Sequence, residues 1–269
     1  DLHSFPTRRS SDLHIVRWTL AREGNETVRS INAVVGETND GGLNDIRART
    51  VTFEHAIEAI ESAQGGAVAE GAVGAGTGTI AFGLKGGIGT SSRRLSERFG
   101  GYTTGVLVQT NFGGLLTVAG VPIWEKLGLN PFAPEPAPAN AGSIIIVVAT
   151  DAPLSDRNLT RLARRALVGL GRTGATLANG SGDYVIAFST SLDVRRTPAR
   201  RSELASVREL PNDRMTPLFQ AAAEATEEAI INSLLQATPM RMGNETIEAL
   251  DPKAVRRWVR RTDSGRQAR

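Results

Sequence analysis

Three histidines and no cysteine in a chain of 269 residues leave few of the usual partners for nucleophilic or acid–base catalysis. The lack of cysteine removes disulfides, thiolate metal sites and thiol nucleophiles, and it leaves the compartment open. His3 and His14 lie in or beside an irregular N-terminal segment, so His55 is the one histidine set among helix-forming residues. There a surface or half-buried imidazole is the ordinary reading, and a triad member or metal ligand the exceptional one. A hydroxyl is the better candidate. In ANAGSIIIVVATDAP, residues 139–153, Ser143 follows Gly142 after a proline-rich run and opens an unbroken apolar stretch. A serine so placed can attack its own preceding carbonyl, and the cut frees an α-amine whose ordinary pKa of about 7.7–8.0 suits a base at neutral pH. One residue would then supply nucleophile and base. The same dipeptide also reads as the plain end of a linker, and spacing alone leaves both readings standing.

A second stretch, GAVGAGTGTIAFGLKGGIGTSSR at residues 71–93, is rich enough in glycine to cradle a phosphate. Gly76, Gly78 and Ala81 fit the spacing of a dinucleotide fingerprint, but no apolar strand precedes them and further glycines stand where a helix should begin. Lys85 lacks the second glycine and the helix of a nucleotide-binding P-loop. Close packing of strands and loops is the expectation, with no cofactor and no metal.

The elements that must position Ser143 follow from pattern. Residues 31–46, INAVVGETNDGGLNDI, predict a short strand and a turn-rich loop. Thr52 predicts the N-cap of a helix whose apolar face carries Phe53, Ala56, Ile57 and Ile60, ended by Gly65 and Gly66. Strands are expected at 104–110 and 115–121, with Asn111 in the turn between them. Prolines 131, 134, 136 and 138 mark an extended, exposed linker that divides the chain. Beyond it SIIIVVAT reads as a strand covered on both faces, Ser155 as the cap of a helix to Gly171, and NGSGD as a turn into the strand YVIAFST. Further helices open at Thr216–Pro217 and at Asp251–Pro252. Strands and helices in blocks favour a layered α+β architecture.

No apolar run approaches the length of a membrane helix, and Lys+Arg (31) barely exceed Asp+Glu (28). A membrane partner and a nucleic-acid partner are therefore not expected, and the basic C-terminal run RRWVRRTDSGRQAR reads as a solvated helix end. Residues 1–13, DLHSFPTRRSSDL, look like the translation of a sequencing-library adapter and are expected to be non-native. The native N-terminus would then be missing, and a cytoplasmic and a periplasmic location stay equally open.

From 33 to 250 the chain resembles the P1 or S58 family of self-processing serine aminopeptidases, the DmpA-like group of L-aminopeptidase/D-esterases and β-aminopeptidases. The resemblance rests on GETNDGGLNDI, EGAVGAGTGTIAFGLKGGIGT, GVLVQTNFGG, GSIIIVVATDAPLSDRNLTRLARRALVGLGRTG, NGSGDYVIAFST and EEAIINSLLQAT, in that order. It implies a four-layer α/β/β/α sandwich cut once, between Gly142 and Ser143, into an α piece (14–142 here, incomplete) and a β piece (143–269) that together build one domain. It implies association of the two pieces and further assembly, commonly a tetramer of heterodimers. By position it makes Ser143 the nucleophile, Ser181 and Asp183 the second serine and carboxylate, and Asn111 a donor to the oxyanion. The family can place a tyrosine in the oxyanion region, and Asn39 of GETNDGG is where its counterpart is sought. The activity implied is hydrolysis of a small peptide, amino-acid amide or ester bearing a free amine, through an acyl-enzyme and without a cofactor. Two rivals are an ornithine acetyltransferase-like acyltransferase, a family whose nucleophile is threonine, and an uncleaved homologue that binds amino compounds.

Overall fold

A computed structural model describes residues 6–130, 142–243 and 245–267. The linker prolines, and the first residues of the segment expected to be non-native, lie outside them. Helix α1 (Pro6–Leu20) begins within that segment and packs on α2 (Phe53–Glu61), tied by the Trp18 indole and the Arg22 guanidinium to Glu61. A tight hairpin follows, β1 (Ile80–Ala81) with β2 (Leu84–Lys85), and then β3 (Ile88–Arg94) and β4 (Thr103–Asn111). After a second hairpin, β5 (Thr117–Val118) with β6 (Val121–Pro122), and α3 (Ile123–Leu127), the chain forms β7 (Ser143–Thr150), α4 (Asp156–Arg172) and β8 (Gly182–Ser189). The short α5 (Pro198–Ser202), the long α6 (Thr216–Leu235), the ribbon β9 (Met240–Met242) with β10 (Glu245–Ile247) and α7 (Pro252–Gln267) complete it.

One four-stranded sheet, in the order β3-β4-β7-β8, organises the rest. Its first three strands pair antiparallel, and β7 pairs parallel with β8 through α4. The blocks read from the sequence therefore contain one β-α-β crossover. Strand alternation sends Val106, Val108, Ile144, Ile146 and Val148 to one face, where they are buried against Leu162, Ala166 and Leu170 of α4 and Leu218, Ala222, Ala225 and Ile230 of α6. Full burial of each valine, leucine or isoleucine among them stabilises by about 1.5–3 kcal/mol, and of each alanine by less. The opposite face carries Ile145, Val147, Tyr184, Ile186 and Phe188, of which Tyr184 and Phe188 are about half exposed (51% and 44%). The described residues thus build a mixed α+β unit with helices on one face of the sheet. SIIIVVAT, expected to be covered on both faces, is fully covered on one.

Three expectations are corrected. Residues 31–39 form no strand: they run without a ladder partner, and Val34 is exposed, because β-branched residues favour a strand only where another strand accepts their hydrogen bonds. Residues 115–121 are not one strand, because Ala119 and Gly120 take positive φ (50° and 73°) and reverse the chain into the β5–β6 hairpin. Asn111 is not in a turn; it is the last residue of β4.

Helix α6 approaches β3 so closely that an added Cβ on Gly89 would stand 1.9 Å from the Ala229 carbonyl oxygen, whereas one on Gly105 of β4 would meet nothing within 4 Å. Two backbones cannot yield as a side chain can. Gly89→Ala is expected to lower stability by about 3 kcal/mol, roughly 6–12 °C in Tm for a chain of this size, and Gly105→Ala to change it far less. Thermal melting followed by circular dichroism checks the pair, and equal melting points would refute the close approach.

Candidate active site

The C-terminal end of β4 and the N-terminal ends of β7 and β8 meet at one edge of the sheet, and the register decides which residues face one another there. Asn111 pairs with Ser143 across the antiparallel ladder, and Gly182 pairs with Ser143 across the parallel one. Ser143 is half-buried. An added Cβ on Gly182 would lie 3.3 Å from Ser143 Oγ, so that hydroxyl sits over a position without a side chain.

The peptide before Ser143 is held on two sides. The Gly142 carbonyl oxygen accepts from the Gly182 N–H at 3.0 Å. On the other side a Cβ at residue 142 would stand 2.3 Å from Phe112 Cα and 2.9 Å from the Asn111 carbonyl oxygen. Glycine is therefore demanded by contact with the backbone of residues 111–112, and flexibility at a linker end is not its only use. A donor already set on the Gly142 carbonyl is in place to take up negative charge if that carbonyl is attacked.

Asn111 is only 7% exposed, and its amide orientation is set by two backbone groups. Its Oδ1 accepts from the Ile80 N–H at 2.9 Å, and its Nδ2 donates to the Asn39 carbonyl oxygen at 2.8 Å. With the amide turned this way, the end that faces away from Ile80 is the donor end, and it carries two hydrogens. Asn39 thus reaches Asn111 through its backbone, while its own Oδ1 accepts from the Gly41 N–H at 3.0 Å. The loop is anchored one residue earlier, where Gln109 Nε2 donates to Thr38 Oγ1 (3.0 Å) and to the Ala75 carbonyl oxygen (2.8 Å).

Ser181 and Asp183 flank Gly182, and Ser181 Oγ donates to Asp183 Oδ1 at 2.9 Å. Because side chains alternate across the pleat, Asp183 lies on the face of its register partner Ile144, opposite the Ser143 hydroxyl. The backbone nitrogen of Ser143 lies between the two faces. The structure therefore brings Ser143, Gly142, Asn111 and the Asn39 backbone together, with the Ser181–Asp183 pair across the sheet edge.

His55 is elsewhere engaged. It is exposed on the first turn of α2, where its Nδ1 accepts from the Thr52 N–H at 3.0 Å and closes the helix N-terminus. His55→Ala is expected to cost about 1 kcal/mol of stability and to leave kcat/KM within a few-fold, far from the roughly 10²-fold loss of a general base. Steady-state kinetics beside a melting curve check it, and a folded variant that has lost most turnover would make His55 the base.

Two features were not anticipated from sequence. One is the Ile80 N–H on Asn111, a backbone donor with no side-chain signal. The other is Lys85, fully buried inside the β1–β2 hairpin, for which a lone lysine within a glycine-rich run was the available sign. Burial pushes its ammonium down to about 8, and the charge of Asp40 opposes the fall.

Most of the chain has clear relatives. The sequence matches peptidase family S58 over residues 10–247. It is 45% identical over 239 residues to a β-peptidyl aminopeptidase, BapA, of Sphingosinicella microcystinivorans, a match that covers 83% of this chain and 59% of that protein. The chain thus spans about three-fifths of the length of the curated relatives it matches. The structure of an L-aminopeptidase D-Ala-esterase/amidase from Ochrobactrum anthropi, described as a prototype for the serine aminopeptidases and a variant of the Ntn hydrolase fold, superposes with a TM-score of 0.83. It is 36% identical, over 96% of this chain and 71% of that one. A β-aminopeptidase from a Burkholderia species superposes with a TM-score of 0.80 at 38% identity, over 94% of this chain and 70% of that one.

Proposed function

Because the chain belongs to peptidase family S58, we propose that the protein carrying it is an N-terminal-serine aminopeptidase, activated by a cut between Gly142 and Ser143. Its substrates are peptides, amino-acid amides or esters with a free amine. The observation that carries the proposal is the register that locks Ser143 between Asn111 and Gly182, with the Gly142 carbonyl already on the Gly182 N–H.

In the activating step Ser143 Oγ attacks the Gly142 carbonyl carbon. The C–O bond forms, the C–N bond to Ser143 breaks, and the proton leaves Oγ for the nitrogen. Water then hydrolyses the ester, which frees the Gly142 carboxylate, the Ser143 hydroxyl and the Ser143 α-amine. In turnover that amine takes the Oγ proton as Oγ attacks the substrate carbonyl, and returns it to the leaving nitrogen or oxygen. Asn111 Nδ2 donates to the oxyanion, and water releases the acyl group. Asp183, its Oδ1 held by Ser181, supplies negative charge for a neighbouring ammonium, that of the substrate or of Ser143.

The partly exposed apolar residues on the helix-free face of the sheet support the four-layer sandwich, in which a second sheet would pack on Val147, Tyr184, Ile186 and Phe188. Associated α and β pieces and a higher assembly belong to the same proposal. Intact mass of the protein tests it: two species meeting between Gly142 and Ser143 are expected in active material, and a single uncut mass with full activity would refute it.

A further inference from the structure

Lys85 is a buried cation that the reaction above does not use. Its side chain is fully buried, and Nζ donates to the carbonyl oxygens of Gly76 (2.8 Å), Thr79 (2.9 Å) and Gly86 (2.8 Å). Three acceptors take all three hydrogens of an ammonium, whereas a neutral amine has two to offer. A buried ammonium fully satisfied by backbone carbonyls is costly to assemble and is poorly explained as filling, since an apolar side chain of similar length would fill the hairpin at lower cost.

The connection runs through a single peptide group. Lys85 pairs with Ile80 across the β1–β2 hairpin. The Thr79 carbonyl accepts both from Lys85 Nζ and from the Gly86 N–H at 2.9 Å, and the N–H of the same Thr79–Ile80 peptide donates to Asn111 Oδ1. Charge drawn toward the Thr79 oxygen makes the Ile80 N–H a stronger donor, and the three carbonyl bonds fix where that N–H points. The Ile80 N–H, with the Asn39 carbonyl, in turn fixes which end of the Asn111 amide accepts and which donates. We infer that Lys85 is a positioning residue for the reaction: through the Thr79–Ile80 peptide it holds the Asn111 amide with its donor end available to the oxyanion.

The inference deepens the proposed function and rests on Asn111 acting as that donor. The test is a double-mutant cycle in the self-processed protein, with an amino-acid p-nitroanilide as probe and kcat expressed per active site counted from the acyl-enzyme burst. The self-cleavage rate is followed in parallel. Lys85→Met is expected to lower kcat at least about tenfold with KM within about threefold, since a misdirected donor loses part of the 10²–10³-fold contribution of an oxyanion donor. Lys85→Arg keeps the charge and several donors and is expected to recover part of the loss. In an Asn111→Ala background Lys85→Met should add no more than about two- to threefold, because the group it positions is gone. Unchanged kcat per active site in Lys85→Met, or losses that multiply in the double variant, would make Lys85 a plain anchor of the glycine-rich turn. Where Lys85→Met does not fold, the cycle with Lys85→Arg decides in the same way: a loss confined to the Asn111 background supports the inference, and an equal loss in both overturns it. Failure of the underlying reading is seen separately, as Asn111→Ala or Ser143→Ala retaining wild-type turnover.

Discussion

Ser143→Ala is expected to leave one uncut chain and no measurable hydrolysis, the largest effect any single substitution should have. The change removes only a hydroxyl from a half-buried residue at the first position of β7, so the ladder to Asn111 and Gly182 and the burial of Ile144 and Ile146 are untouched. Alanine adds no atoms over a position where Gly182 leaves space. Melting should therefore stay within a few degrees of wild type, while the rate falls toward background, on the order of 10⁶-fold as for removal of other serine nucleophiles. Gly142→Val makes the useful contrast. It keeps the nucleophile but puts a branched side chain where even Cβ would lie 2.3 Å from Phe112 Cα, so the scissile carbonyl must leave the Gly182 N–H. Cutting should slow sharply although Ser143 is intact. Mass spectrometry for the cut and a p-nitroanilide assay for turnover read both variants. Cleavage or turnover in folded Ser143→Ala would end the proposal that Ser143 is the nucleophile.

How much of this arrangement was legible in the sequence depends on whether a residue's role is local. SIIIVVAT could be read as β7 over its whole length, because a β-branched run and the proline-rich stretch before it are both local signals. The starts of α2 after Thr52 and of α4 after Ser155, and the Thr216–Pro217 start of α6, were legible for the same reason, although Ser155 Oγ donates to Glu209 and caps nothing and α2 stops at Glu61, short of Gly65 and Gly66. Asn111 was misplaced into a turn because Asn-Phe-Gly-Gly has turn composition, while what extends β4 through Asn111 is its pairing with Ser143, residues distant in sequence. Residues 31–39 failed in the opposite sense: the apolar start suits a strand, and no strand accepts it among the described residues. Ser181, Asp183 and Asn111 were assigned by family resemblance. The register now gives Asn111 and Asp183 neighbours and a hydrogen bond ties Ser181 to Asp183, but no local pattern distinguishes NGSGD from any other turn. Lys85 was noticed only as a failed phosphate binder, its burial being invisible in residue type, and the Ile80 N–H escaped altogether, since a bond from a backbone amide to a side chain 31 residues away leaves no trace in sequence.

Asn111→Ala is expected to give the second-largest loss, a fall in kcat of about 10²–10³-fold with little change in KM, because the amide donates where charge develops and contributes little to ground-state binding. Its two backbone partners complicate a simple reading. Truncation removes the partner of the half-buried Ile80 N–H and of the carbonyl of the exposed Asn39, which water can reach, so the cost falls below the about 1–3 kcal/mol of a fully buried group left unsatisfied. A loss of activity in the alanine variant alone could therefore reflect a loosened loop. Asn111→Asp separates the two causes. An aspartate oxygen can still accept from the Ile80 N–H, so that half of the anchoring survives, but the donor end becomes an acceptor that faces the Asn39 carbonyl and the oxyanion. If donation to the oxyanion is what matters, the aspartate variant should keep the Ile80 bond and still turn over no faster than the alanine variant, because negative charge there opposes the transition state. If anchoring is what matters, turnover should follow stability, and whichever variant melts higher should be the faster. Melting curves beside kcat and KM for both variants decide between them, and a kcat within about threefold of wild type in either would remove Asn111 from the reaction.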